Sequence, residues 1–148
     1  MQDVNIYLAG SIRGPARKSG GYVYVLECFR NGKAVTLQKG KWLDDTTENQ
    51  LALLGLADAL TRLNCPCNLS IYTDCQHIIN AMQNHWARQW QKNNWVNARG
   101  NQVKNADQWK EVLERLDPHT YTFSMENHAY TEWMRTELDR EKEKHRKK

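Results

Sequence analysis

Apolar and polar residues alternate along Leu69-Ser70-Ile71-Tyr72-Thr73 and stop at Asp74, a period-two pattern that predicts a strand over Asn68 to Thr73. A similar run from Val4 to Leu8, with Asn5 as its polar break, predicts a first strand ending at Ala9-Gly10-Ser11. Ser11 to Gly21 then holds Gly14, Gly20, Gly21, Pro15 and the basic residues Arg13, Arg17 and Lys18, and reads as a loop. Tyr22 to Phe29 and Ala34 to Trp42 flank Asn31-Gly32, whose tolerance of positive φ marks a hairpin. Strands two and three are therefore expected to be antiparallel neighbours.

The period changes after Trp42. Thr47 and Gln50 have capping-box spacing, and Leu51, Leu54, Leu56, Ala59, Leu60 and Leu63 follow on one helical face, stopped by Asn64-Cys65-Pro66. Beyond Asp74, His77 to Met82 reads as a short helix buried through Ile78, Ile79 and Met82. Asn105 is expected to cap a helix through Trp109, Val112, Leu113 and Leu116, ended by Asp117-Pro118. Tyr121 to Met125 supplies a fifth strand and Tyr130 to Lys148 a last helix. Its end, 139–148, alternates charges before turning basic, the pattern of a solvated helix end that frays.

Composition narrows the class. At 148 residues the chain fits one domain, 1–148, able to bury about two-thirds of its unfolded surface without staples. The 21 Lys and Arg against 17 Asp and Glu give a net charge of +4, which permits contact with a polyanion without requiring it. No run is long enough to span a membrane, and no basic, apolar and cleavage regions form a signal peptide. Cys28, Cys65, Cys67 and Cys75 are too few for a disulfide scaffold, and Cys65-Pro66-Cys67 lacks a second ligand pair at zinc spacing. Reduced thiols in a cytoplasmic protein are the expectation.

Candidate chemistry begins at Asp74. An acid at the carboxyl end of a buried strand stands where α/β proteins place their sites, although a residue there also caps the helix that follows. Trp86, Trp90 and Trp95 are interleaved with Arg88, Lys92 and Arg99. That segment reads either as a stacking platform for a nucleic-acid strand or as the packed face of a small helical subdomain.

Several motifs now stand in order: Ile6-Tyr7-Leu8-Ala9-Gly10-Ser11, Gly20-Gly21-Tyr22, Thr46-Thr47-Glu48-Asn49-Gln50-Leu51, and Tyr72-Thr73-Asp74-Cys75-Gln76. They are followed by Trp90-Gln91-Lys92-Asn93-Asn94-Trp95 and Val103-Lys104-Asn105-Ala106-Asp107-Gln108-Trp109. Over nearly its whole length the chain resembles the type 1 ribonucleases H, which cut the RNA strand of an RNA–DNA hybrid. The resemblance implies an α/β, ribonuclease H-like fold: a five-stranded mixed sheet of three antiparallel strands and two parallel additions, with helices on both faces. It also implies a substrate-binding handle over 86–104.

The family's chemistry needs four carboxylates around two magnesium ions. The resemblance places those positions at Ala9, Ala52, Asp74 and Thr136, and the family's mobile histidine at His128. Only Asp74 is an acid, so the expected metal contact is Asp74 alone, with Glu48, Glu126, Glu132 and Glu137 as possible substitutes. Substrate contacts are implied at Ser11, Thr47, Glu48, Asn49 and Gln76, and on the handle at Trp86, Trp90, Lys92, Trp95 and Lys104. These assignments lead to the expectation of a protein that binds RNA–DNA hybrid or duplex with lost or strongly reduced catalysis and no tightly held cofactor. An active nuclease with rebuilt Mg or Mn ligands and a protein-interaction scaffold are the alternatives.

Overall fold

A computed structural model describes residues 1–147. Five strands, β1 (Gln2–Gly10), β2 (Lys18–Arg30), β3 (Lys33–Thr46), β4 (Cys67–Thr73) and β5 (Thr120–Ser124), form one sheet in the order β3-β2-β1-β4-β5. β1, β2 and β3 pair antiparallel; β4 lies parallel to β1 and β5 parallel to β4. The tight turn between β2 and β3 forms at Asn31 and Gly32, both at positive φ (54° and 76°), as a two-residue hairpin turn requires.

The helices are α1 (Glu48–Leu60), α2 (Gln76–Gln83), α3 (Trp86–Lys92), α4 (Ala106–Leu116) and α5 (Thr131–Arg146). Strand alternation sorts β1 between two cores. Ile6 and Leu8 point into the larger core with Leu51, Leu53, Ile78, Trp109 and Leu113, whereas Tyr7 and Ala9 point to the opposite face, against Met134, Trp133 and Leu138 of α5. α1 sits close to the sheet at Gly55, where an added Cβ would stand 2.7 Å from Leu8 Cδ1 and 3.0 Å from Tyr22 Cγ.

Several elements differ from the sequence expectation. β2 begins at Lys18, so the glycines at 20 and 21 lie inside a strand; Gly20 would collide with Ile12, and Gly21 with Trp42, if either carried a Cβ. Thr47 does cap α1, accepting from Gln50 N at 3.2 Å, but the helix closes at Leu60, before Asn64-Cys65-Pro66. Asn105 starts α4 from the left-handed region (φ 61°), and its side chain makes no capping bond. α5 runs unbroken through Arg146 where charge alternation suggests fraying. It lies on β3 through Glu141, whose side chain covers Gly40, and through His145, which pairs with Asp44 at 2.5 Å and packs on Trp42. Lys148, the last residue of that segment, lies outside the described residues. None of the described helices is long and apolar enough to cross a membrane.

Candidate nucleic-acid site at the strand ends

β1 and β4 are parallel neighbours, with Leu8 opposite Thr73, so Ala9 and Asp74 emerge side by side at the carboxyl edge. There they line a cavity of about 330 Å³ together with Ser11, Arg13, Glu126, His128, Arg135 and Asp139. Asp74 does not cap α2. Cys75 occupies the cap position without a side-chain bond, and Thr73 Oγ1 accepts from Cys75 N instead.

Asp74 binds backwards, towards the loop after β1. Its Oδ1 accepts from Gly10 N at 3.4 Å, and its Oδ2 meets Arg13 Nη2 at 2.5 Å. Arg13 Nη1 donates to the carbonyls of Gly10 and Ile12, both at 2.9 Å, and lies 4.0 Å from Glu48 Oε2. Glu48 Oε1 accepts from Gly14 N at 3.0 Å, and Ser11 Oγ accepts from Gly21 N at 2.9 Å. The loop is thus held by four side chains, Ser11, Arg13, Glu48 and Asp74, despite its glycines. Burial pushes the Asp74 carboxyl above its ordinary value, and the Arg13 guanidinium pulls the other way.

His128 enters from the loop before α5. Its ring lies 4.3 Å from that of Tyr7, its Nδ1 accepts from Tyr130 N at 3.1 Å, and burial lowers its pKa. Behind it Glu27, 8 % exposed, accepts from Asn5 Nδ2 at 2.9 Å, from Tyr7 OH at 3.1 Å and from Tyr130 OH. Burial alone would raise the Glu27 carboxyl, but these three donors hold it below its usual value.

The other positions implied by the resemblance are distributed unevenly. Ala52 is buried in the larger core, outside the cavity. Thr136 is exposed, its hydroxyl donating to Glu132 O at 3.2 Å; Glu132 pairs with Arg135 and Glu137 with Arg140, and none of these three positions lines the cavity. The α5 acid that does line it is Asp139, one helical turn beyond Arg135. Sequence reasoning passed over Asp139 as part of the charged tail and over Arg13 as a loop cation.

At the starts of α1 and α2, Asn49 Oδ1 lies 3.5 Å from Cys75 Sγ, and Gln76 is exposed with its amide on Asn80. The three tryptophans of the segment 86–95 separate. Trp86 is exposed, Trp90 is half-buried against His77 and Trp109, and Trp95 is core, held at φ 64°. Trp109 is fully buried, edge-on to both Trp90 and His77, and its indole N–H finds no hydrogen-bond partner among the described residues. Lys92 and Lys104 are exposed.

A hard divalent cation needs several oxygen ligands at one point. Methyl groups at Ala9 and Ala52 supply none, the Asp74 carboxylate is engaged by a guanidinium, and no group of three or more His, Cys, Asp or Glu in metal-holding arrangement occurs among the described residues. The residues present do not fit a two-magnesium site.

Comparison with known proteins gives a family model described as RNase H, matching residues 1–132. A protein named Ribonuclease H from Caldicellulosiruptor saccharolyticus is 36% identical over 126 residues, covering 83% of this chain and 81% of that protein. Among solved structures, a type 1 RNase H with the type 2 active-site motif matches with a TM-score of 0.78 at 21% identity, over 94% of this chain and 71% of that one. A second RNase H1, solved in complex with RNA/DNA hybrid, matches with a TM-score of 0.64 at 13% identity, over 93% and 97% of the two chains. At such identities the structural matches establish the fold alone.

Proposed function

The chain belongs to the ribonuclease H family, and on that footing we propose that it binds RNA–DNA hybrid or duplex without metal-dependent cleavage. The observation that carries this reading is the Arg13–Asp74 pair. A divalent ion placed about 4 Å from the guanidinium charge would be repelled by roughly 8 kcal/mol at an effective dielectric of 20. The one retained carboxylate would have to release Arg13 before it could hold metal, and Ala9 and Ala52 offer nothing to offset that cost.

Binding rests on different residues. Gln76 is exposed at the start of α2, and Asn49 lies beside it on α1; side chains there reach sugars and base edges of a minor groove, which favours recognition by shape. Trp86, Lys92 and Lys104 present an exposed aromatic face and two cations on the handle, suited to tracking a backbone. The relative solved with RNA/DNA hybrid supports the same class of ligand. Four free cysteines fit a reducing compartment such as the cytoplasm.

Fluorescence anisotropy with labelled hybrid, duplex and single strands in the presence of chelator tests this reading. Hybrid or duplex is expected to bind most tightly, with affinity falling as salt rises. Failure to bind any of them at low salt would contradict it and favour an interaction scaffold. A second reading, an active nuclease with displaced ligands, draws on Glu126 and Asp139, which share the cavity with Asp74. Its signature would be Mg- or Mn-dependent cleavage abolished by Asp74→Asn.

A further inference from the structure

We infer that Arg13 is a phosphate-binding residue: its guanidinium, anchored by Asp74, holds a backbone phosphodiester of the bound nucleic acid directly, with no metal between them. The inference rests on the hybrid-binding reading above and adds the atom-level contact. The geometry is specific. A guanidinium has five N–H donors. Nη1 donates to Gly10 O and Ile12 O, both at 2.9 Å, and Nη2 to Asp74 Oδ2 at 2.5 Å. Nε makes no bond among the described residues, Nη2 makes only the one to Asp74, and the side chain is 58% exposed. Nε–H and Nη2–H share one edge of the guanidinium plane, the fork that matches two oxygens of a phosphate.

Position 9 leaves room for an anion of that shape. The cavity is lined near Arg13 by Ala9, Gly10 and Ser11, whose hydroxyl is turned to Gly21 N. A side-chain carboxylate at position 9 would repel a phosphate there, whereas a methyl leaves room for it. Three backbone and carboxylate acceptors fix the guanidinium before any ligand arrives, so little ordering cost remains at binding. Glu126 and Asp139 line the same cavity and, with Asp74 and Glu48 beside the guanidinium, oppose an anion, while Arg135 is paired with Glu132, so the contact belongs to Arg13 and its affinity is modest. Arginine holds a phosphate but cannot lower the pKa of a water as a bound metal does, so the contact binds without cutting.

The test is hybrid affinity across a salt series, in chelator and in Mg²⁺, for the whole chain, for Arg13→Gln and for Arg13→Lys. Wild-type binding is expected in chelator, with Mg²⁺ weakening it only as a competing counterion does. Arg13→Gln should weaken binding about tenfold and reduce the slope of log K against log salt by about one. Arg13→Lys should keep the slope while losing part of the affinity, because the charge remains and the fork does not. That retained slope also guards against misfolding, which would abolish binding in either variant. Wild-type slope in Arg13→Gln, or binding that requires Mg²⁺, would overturn the assignment of Arg13 alone. No hybrid binding by the wild-type chain would overturn the hybrid-binding reading, and this inference with it.

Discussion

Arg13 Nη2 lies 2.5 Å from Asp74 Oδ2, joining the loop after β1 to the end of β4 across 61 residues of chain. With side chains 58% and 36% exposed, such a pair contributes at most about 1 kcal/mol to stability. Its consequence is electrostatic: a resident cation neutralises the carboxylate that ends β4.

Repairing the carboxylates alone should therefore fall short. Ala9→Asp with Ala52→Glu is expected to bind Mg²⁺ weakly by titration calorimetry, and adding Arg13→Gln should tighten it. The gain is about tenfold or more, since removing one like charge near a divalent ion is worth several kcal/mol before screening. Equal affinity with and without Arg13 would show that the guanidinium does not guard Asp74. Ala52 is core, so each variant is first checked for a cooperative melt.

Acid should loosen the face that carries α5. Glu27 has a folded pKa below its unfolded value, so its stabilising effect is complete above the ordinary carboxylate range and is lost as pH falls through the folded value. His128 also has a lowered value, through burial; the folded state binds fewer protons there than the unfolded one, and stability is lost as pH falls below about 6.5. The melting temperature is expected to drop in two stages between neutrality and about pH 3. Glu27→Gln should flatten the lower stage and His128→Asn part of the upper; a Glu27→Gln profile that parallels wild type would refute the assignment.

The tryptophans should separate in solution as they do in the fold. Trp109→Ala is expected to cost about 3–5 kcal/mol in urea denaturation, because it empties a fully buried site under α1 and α2. Trp86→Ala should cost under about 0.5 kcal/mol in stability and yet weaken hybrid binding by about 1–3 kcal/mol if its exposed ring stacks on a base. Unchanged affinity in Trp86→Ala would remove the handle from the interface.

Gly55 sets the distance between α1 and the sheet. Gly55→Ala gains up to about 1 kcal/mol of helix propensity, but its Cβ would lie 2.7 Å from Leu8 Cδ1, and overpacking of that kind costs about 1–3 kcal/mol. A net loss of about 1 kcal/mol or more in chemical denaturation is expected. A stabilised variant would show that the core there yields.

Local signals in the sequence were legible where the cause was local. Asn31-Gly32 set the hairpin, Thr47 set the start of α1, and alternation set β4 with Asp74 at its end. Arg13 was not legible as a partner of Asp74, because nothing within its own glycine-rich loop indicates what lies 61 residues away. The tryptophan spacing, Trp86, Trp90 and Trp95, did not distinguish ring from ring, since burial depends on Trp109 and His77 arriving from other elements. The charged end of α5 resembled a free tail because alternation hides one inward face, Glu137, Glu141 and His145, at helical spacing. Gly40 on β3 leaves the space that Glu141 fills.

The most direct measurement is cleavage of a labelled RNA–DNA hybrid by the purified chain in Mg²⁺ and in Mn²⁺, beside Asp74→Asn. Binding without cleavage is expected, with the hybrid recovered intact by both proteins in both metals. Metal-dependent cleavage by the wild-type chain that disappears in Asp74→Asn would contradict the account, since Asp74 would then hold a metal ion rather than Arg13.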